Sequence, residues 1–223
     1  RMVSWRADAP ATLVWAEAQD GGDPNRDAPV RDAVLTLAAP FDAAPATLAQ
    51  LGSRYAGIAW GNGQVALLNE RWFKTRWARR WQIAPDNPQL APKLLSDRSS
   101  QDRYNDPGMP LLRTADNGQR LLQFSDDGQA IFLAGAGASE AGDRPFVDRF
   151  DLASASATRV FQSTPGQYSQ PLAVLDGQGQ RLLVSRESPD QPANLFVIDQ
   201  AAGSERQLTD IAQRLRRAGL DVY

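Results

Sequence analysis

The residues with the most chemical potential lie between Glu70 and Trp81, where Trp72, Phe73, Trp77 and Trp81 interleave with Arg71, Lys74, Arg76, Arg79 and Arg80. Guanidinium groups offer planar forks to carboxylates and phosphates, and aromatic rings offer stacking faces. The mixture therefore suits an anionic ligand or single-stranded nucleic acid. It equally describes a hairpin whose aromatics pack inward while arginine stems cover them and keep the charged heads wet. The chain as a whole carries 24 basic and 26 acidic residues, a net charge of −2, so no overall positive field draws it to nucleic acid or anionic lipid. Packing is the favoured reading and carboxylate binding the second, with Arg71, Lys74 and Arg76 as candidate substrate-binding residues.

Other chemistry is excluded by what the 223 residues lack. There is no cysteine, which removes disulfides, thiolate catalysis and cysteine zinc sites, and is compatible with cytoplasm and periplasm alike. There is no histidine, so neither a Ser-His-Asp triad nor a histidine metal site can be assembled from this chain. Gly137-Ala138-Ser139-Glu140-Ala141 approaches the Gly-x-Ser-x-Gly nucleophile elbow but fails at its last position and lies in a small-residue loop. Two acidic groups, Asp20-Gly21-Gly22-Asp23 with Asp27, and Asp97 with Asp102 and Asp106, could offer oxygens to calcium, but neither has EF-hand spacing, and Asp and Gly are ordinary turn residues. Asp126-Asp127 precedes Gly128 at a hairpin turn, an unsuitable place for acid–base catalysis. No cofactor or metal is expected.

The elements that must position the Glu70–Trp81 stretch are strands. Short apolar or alternating segments recur between Gly, Asp, Asn and Pro clusters, the pattern of an all-β chain. Four groups emerge. Val3-Ser4-Trp5, Thr12 to Ala18, Ala33 to Ala38 and Ala46 to Leu51 form the first; Gly57 to Trp60, Val65 to Asn69, Arg79 to Ile83 and Lys93 to Leu95 form the second. Leu111 to Thr114, Gln119 to Ser125, Ala130 to Ala134 and Phe146 to Leu152, closed by Thr158 to Gln162, form the third. Leu172 to Leu175, Arg181 to Ser185, Asn194 to Ile198 and Glu205 to Leu208 form the fourth.

Their first strands recur at roughly 55 residues, close to the period of four-stranded propeller blades. Asn62-Gly63, Asn117-Gly118, Asp127-Gly128 and Asp176-Gly177 suit hairpin positions with positive φ, and mark the first hairpin of each later group. Periodicity alone leaves a sandwich or barrel open beside the propeller. Asp210 as N-cap, Ile211 and Leu215 four apart, and Gly219 as terminator predict a short amphipathic helix whose Arg214, Arg216 and Arg217 complement the helix dipole. No stretch approaches the roughly eighteen uninterrupted apolar residues of a membrane-spanning helix, and the first residues lack the layout of a signal peptide.

Several segments match a known family in order. Val3-Ser4-Trp5-Arg6-Ala7-Asp8, Thr12-Leu13 and Gln19-Asp20-Gly21-Gly22-Asp23 come first, then Tyr55-Ala56-Gly57-Ile58-Ala59-Trp60 with Glu70-Arg71-Trp72-Phe73-Lys74-Thr75-Arg76. Asp97-Arg98-Ser99-Ser100 through Tyr104-Asn105-Asp106-Pro107-Gly108 and Phe146-Val147-Asp148-Arg149-Phe150-Asp151-Leu152 follow. Over most of residues 1 to 209 the chain resembles the β-propeller of prolyl oligopeptidase-family serine peptidases, in the glutamyl endopeptidase-like subfamily.

The resemblance implies blades at about 1–53, 54–109, 110–168 and 169–209, part of a larger ring, with a helical tail at 210–223. It also implies, as partners, an α/β-hydrolase domain carrying the Ser-Asp-His triad and a peptide substrate cleaved after Glu, to which the propeller restricts access. By itself the chain is then not an enzyme. Open blade edges would permit self-association, while nucleic acid and membrane are not expected partners. The tail does not resemble the family's continuation, which leaves an excised piece and a short natural protein both open, the latter as a free-standing propeller that binds protein or ligand. A soluble protein of periplasm or cytoplasm is expected.

Overall fold

The computed structural model describes residues 3–211, and all eighteen of its strands fall among them. The expected helix from Asp210 to Gly219 lies, beyond Ile211, outside the described residues. Four sheets of four antiparallel strands account for sixteen strands, as the propeller reading requires. They divide between two compact units. Unit 1 comprises residues up to Asp102 with Thr114–Leu122, and unit 2 comprises Arg103–Arg113 with Gln123 onward.

In unit 1, β1 (Ser4–Trp5), β2 (Thr12–Ala18), β3 (Asp32–Ala38) and β4 (Ala46–Leu51) form sheet 1 in chain order. Sheet 2 is a second meander of β5 (Arg54–Asn62), β6 (Val65–Trp72), β7 (Trp77–Ile83) and β8 (Lys93–Ser99). Successive side chains on a strand point to opposite faces, so register decides who meets whom. Val14 and Val34 of sheet 1 and Ala66, Leu68 and Ile83 of sheet 2 point into one core with Leu48, Leu51 and Trp60. Each fully buried aliphatic side chain there contributes about 2 kcal/mol. The opposite face of sheet 1 carries Leu13, Trp15, Leu35 and Leu37, all half-buried.

In unit 2, β9 (Met109–Pro110), β12 (Ala130–Gly135), β13 (Phe146–Asp151) and β14 (Ser156–Gln162) form sheet 3, and β15 (Tyr168–Val174), β16 (Arg181–Ser188), β17 (Gln191–Asp199) and β18 (Ser204–Gln207) form sheet 4. Their shared core is Phe132 and Val147 against Val174, Leu182 and Val184.

Sheet 3 corrects the expected grouping. Leu111–Thr114 and Gln119–Ser125 were expected as neighbouring strands of its meander. They do pair with each other, but as a separate two-stranded sheet, and sheet 3 is interrupted where they leave it. Leu111 N–H donates to the Phe132 carbonyl (2.8 Å), and the pairing resumes past the interruption, where Phe124 bridges Ile131. The excursion between them contains β10 (Leu112–Thr114) and β11 (Arg120–Leu122), turning at Asn117-Gly118. Its Leu121 packs on the unit 1 core, β11 lies against β5, and Leu122 is wholly buried. The contact of Leu121 with that core gives the excursion its reason to leave the sheet.

The turns follow two physical rules rather than one. Gly118 and Gly128 adopt φ of +78° and +68°, as the hairpin reading expects. Gly63 and Gly177 do not have positive φ. A Cβ at Gly63 would collide with the Asp86 carboxylate and one at Gly177 with that of Asp126. In both cases the same Asp also donates its backbone N–H to the glycine carbonyl, at 2.9 and 3.1 Å. Here glycine is required by close approach.

Candidate functional site

The Glu70–Trp81 stretch is a regular hairpin. β6 and β7 pair continuously from Ala66↔Ile83 to Trp72↔Trp77, and Phe73 to Arg76 form the tip, with Arg76 at φ +59°. One face reads, from core to rim, Ala66 with Ile83, Leu68 with Trp81, Glu70 with Arg79, and Trp72 with Trp77. The other carries Leu67 with Gln82, Asn69 with Arg80, and Arg71 with Ala78. The apolar-to-polar gradient on the first face brings a charged layer to the edge of the unit 1 core.

Glu70 anchors that layer at 2% exposure. Its Oε2 accepts from the Ser53 backbone N–H (2.8 Å) and hydroxyl (2.7 Å), and its Oε1 accepts from the Trp81 indole N–H (3.0 Å). Arg79 stands 3.8 Å from Glu70, and its Nε forms an ion pair with Asp97 at 3.1 Å. The Trp77 indole N–H also donates to Asp97.

A second cluster comes from the β2–β3 loop and the β4–β5 turn. Arg54 donates to both oxygens of Asp20, at 2.8 and 2.6 Å, and to Asp32 at 2.7 Å. Arg31 adds a bond to Asp20 at 2.9 Å, and the Gly22 N–H another at 3.0 Å. The Arg54 hydrogen bonds hold the Asp20 carboxyl below its ordinary value, against the opposing effect of burial, with Gly22 and Arg31 assisting. Arg31 also lies over the Trp72 ring, 4.2 Å from its centroid. Between these clusters opens a cleft of about 570 Å³ lined by Arg31, Ser53, Trp72, Thr75, Trp77 and Arg79.

The three residues singled out in the sequence are all exposed, but they are not brought together in this cleft. Arg71 lies on the opposite face of the hairpin, Lys74 donates to the Asn25 side chain at 2.7 Å, and Arg76 sits at the tip. Arg71 and Arg76 have no side-chain partner among the described residues. The cleft's own cations are Arg31 and Arg79. Period-two alternation on β7 could have identified Arg79, since Trp77, Arg79 and Trp81 share a face. Arg54 reaches Asp20 across 34 positions of sequence, for which there is no local signal.

The remaining motifs are structural. The Ser139 hydroxyl donates to the Gly142 carbonyl at 2.6 Å. Asp127 accepts from Ser125 and Arg149, and its carboxyl is held below the ordinary value chiefly by Ser125. Among the described residues no cluster of three or more acidic groups could hold a metal ion, and no helix is long and apolar enough to cross a membrane. Donors to an acceptor-rich ligand are what the cleft offers.

No family model matches the chain. It is 36% identical over 224 residues to a probable chloroplastic glutamyl endopeptidase of Oryza sativa subsp. japonica, covering 94% of this chain and 24% of the relative. The protein of the same name in Arabidopsis thaliana is 39% identical over 181 residues, covering 78% and 19%. The chain thus spans about a quarter to a fifth of the curated relatives it matches. Among solved structures, the β-propeller domain of the trilobed protease of Pyrococcus furiosus superposes with a TM-score of 0.51 at 11% identity, covering 93% of this chain and 57% of that domain. A structure from a study of two prolyl endopeptidases also gives 0.51, at 10% identity, covering 94% and 29%. These structural likenesses establish fold, and the relatives add the sequence. The chain is thus a β-propeller in fold, and in sequence it is similar over nearly all its length to a segment of probable glutamyl endopeptidases.

Proposed function

We propose that the chain is the non-catalytic propeller part of a glutamyl endopeptidase-like serine peptidase, and that it restricts which peptides reach an α/β-hydrolase domain. The observation that carries this reading is 36% identity across 94% of the chain to a probable glutamyl endopeptidase. The chain holds no histidine, so the triad that performs acyl transfer has to reside on other residues than these 223. The propeller's contribution is then selection: extended chains pass its loops, folded ones do not.

The test is to read the gene on both sides of this segment and assay its product. The expected frame contains a Gly-x-Ser-x-Gly elbow with later Asp and His. Its product should hydrolyse short Glu-containing peptides and spare folded proteins, while the 223-residue chain alone releases nothing. A frame without an elbow, or cleavage by the isolated chain, overturns the proposal. The first of those results would favour a free-standing binding propeller.

A further inference from the structure

The chain contains the tripeptide Asn-Gly-Gln twice, at Asn62-Gly63-Gln64 and at Asn117-Gly118-Gln119. Glycine after asparagine leaves the backbone nitrogen between them open to the side-chain amide carbon, because no Cβ shields it. Both asparagines are exposed, so sequence and solvent give them equal chances. Their hydrogen bonds do not. At the turn between β5 and β6, Asn62 Oδ1 accepts from two backbone N–H groups, those of Gln64 and Val65, each at 2.9 Å. The Gly63 N–H has no partner among the described residues. At the other copy, Asn117 Oδ1 accepts from the Gln119 N–H at 3.1 Å, and the Gly118 N–H already donates to the Ala115 carbonyl at 2.8 Å.

A third group widens the difference. Asp86 donates its N–H to the Gly63 carbonyl at 2.9 Å, and its Oδ2 lies so close to Gly63 that a Cβ there would collide with it. Oδ1 of the same carboxylate is held by Arg6 at 2.8 Å, which fixes the group and leaves Oδ2 without a hydrogen bond among the described residues. Around Asn62 the fold therefore assembles a nucleophile with no competing hydrogen bond, two N–H donors on the oxygen where charge develops, and a carboxylate to take a proton. These are the parts of an acyl-transfer site.

We propose that Asn62-Gly63 is a self-modifying site at which Asn62 deamidates through a cyclic imide. The Gly63 nitrogen attacks Asn62 Cγ, and its proton passes to Asp86 Oδ2. The N–H groups of Gln64 and Val65 meet the negative charge that develops on Asn62 Oδ1. The Cγ–Nδ2 bond then breaks, and Nδ2 leaves as ammonia with the proton returned by Asp86. Water opens the imide at either carbonyl and leaves an aspartyl or isoaspartyl residue, so no oxidant or cofactor takes part. The product sets a new carboxylate beside Asp86 and, in the iso form, adds a backbone carbon to the β5–β6 hairpin.

The experiment incubates the full chain at neutral pH in heavy-oxygen water and follows both tripeptides by peptide mapping, where label uptake marks each new carboxyl. In the folded chain Asn62 should deamidate about tenfold faster than Asn117, a small share of what one oxyanion donor is worth in a dry enzyme site. In urea, where both tripeptides sit in an unfolded chain, the two rates should converge. Asp86→Asn keeps the shape of the side chain but takes no proton, and should slow Asn62 severalfold while leaving Asn117 as it was. The comparison of folded and urea-unfolded protein uses the unaltered chain, and decides the matter if that variant fails to fold. Equal rates in the folded chain, a faster Asn117, a gap that persists in urea, or a folded Asp86→Asn protein whose Asn62 reacts as before overturns the inference.

Discussion

Replacing Glu70 by Gln isolates a single buried hydrogen bond. The amide oxygen can take over the two bonds from Ser53, but its NH2 then faces the Trp81 indole N–H, where Glu70 Oε1 now accepts at 3.0 Å. Flipping the amide only moves the conflict to Ser53, which brings two donors. One buried donor is left unsatisfied either way, at a cost of about 1–3 kcal/mol. The lost charge adds little, because Arg79 stands 3.8 Å away with a well-exposed side chain. We expect Glu70→Gln to cost about 2 kcal/mol, or about 4–8 °C in Tm for a chain of this size. Trp81→Phe removes the opposing donor and should itself cost about 1–3 kcal/mol. In that background Glu70→Gln meets no donor, so the pair should couple by about 1–2 kcal/mol. Urea unfolding of the four proteins, followed by far-ultraviolet circular dichroism, measures the cycle. Single-mutant costs that add to within about 0.5 kcal/mol would refute the assigned Trp81–Glu70 bond.

Acid should destabilise the protein in a defined window. Asp20, Asp127, Asp151 and Glu205 all have folded-state pKa values below their ordinary ones. Their contribution is complete above the ordinary carboxylate range and is lost as pH falls from there towards the depressed values. Tm should be level from neutral pH to about 5 and fall below it, with a shallower fall in Asp20→Asn. Gly63→Ala should destabilise by steric conflict and be partly rescued by Asp86→Ala, while Gly128→Ala, whose cost of about 1 kcal/mol is backbone strain, should gain nothing from a neighbour's truncation. Chemical denaturation of the single and double variants separates the two. Phe132→Ala, at a fully buried position in the unit 2 core, should cost about 3–5 kcal/mol by the same measurement.

Strand identity was legible because local pattern determines it. Val65 to Trp72 and Trp77 to Ile83 announce themselves through apolar content and alternation, and Asp127-Gly128 through its turn chemistry. Strand partnership was less so. Asn117-Gly118 sits between strand-like segments just as Asp127-Gly128 does, and only the pairing of Phe132 with both Leu111 and Gln123 shows that the first belongs to an excursion. The candidate site divides the same way. Tryptophan and arginine between Glu70 and Trp81 mark a place on the chain. What selects Arg79 over Arg71 is the face of the pleat, and what adds Arg31 and Arg54 is Asp20, a long-range partner that composition cannot name.

The excursion through β10 and β11 has a practical consequence for anyone dividing the chain. Thr114–Leu122 belongs to unit 1 although unit 2 flanks it on both sides in sequence. A stop codon after Asp102 would therefore discard Leu121 from the core it packs on and remove the buried Leu122 with it. A fragment beginning at Arg103 would carry Leu121 away from the core it packs on, as a greasy surface on a half-protein. No single cut yields two intact pieces. A soluble first half would need Thr114–Leu122 spliced back after its last strand, and a soluble second half would need the loop shortened to join Arg113 to Gln123.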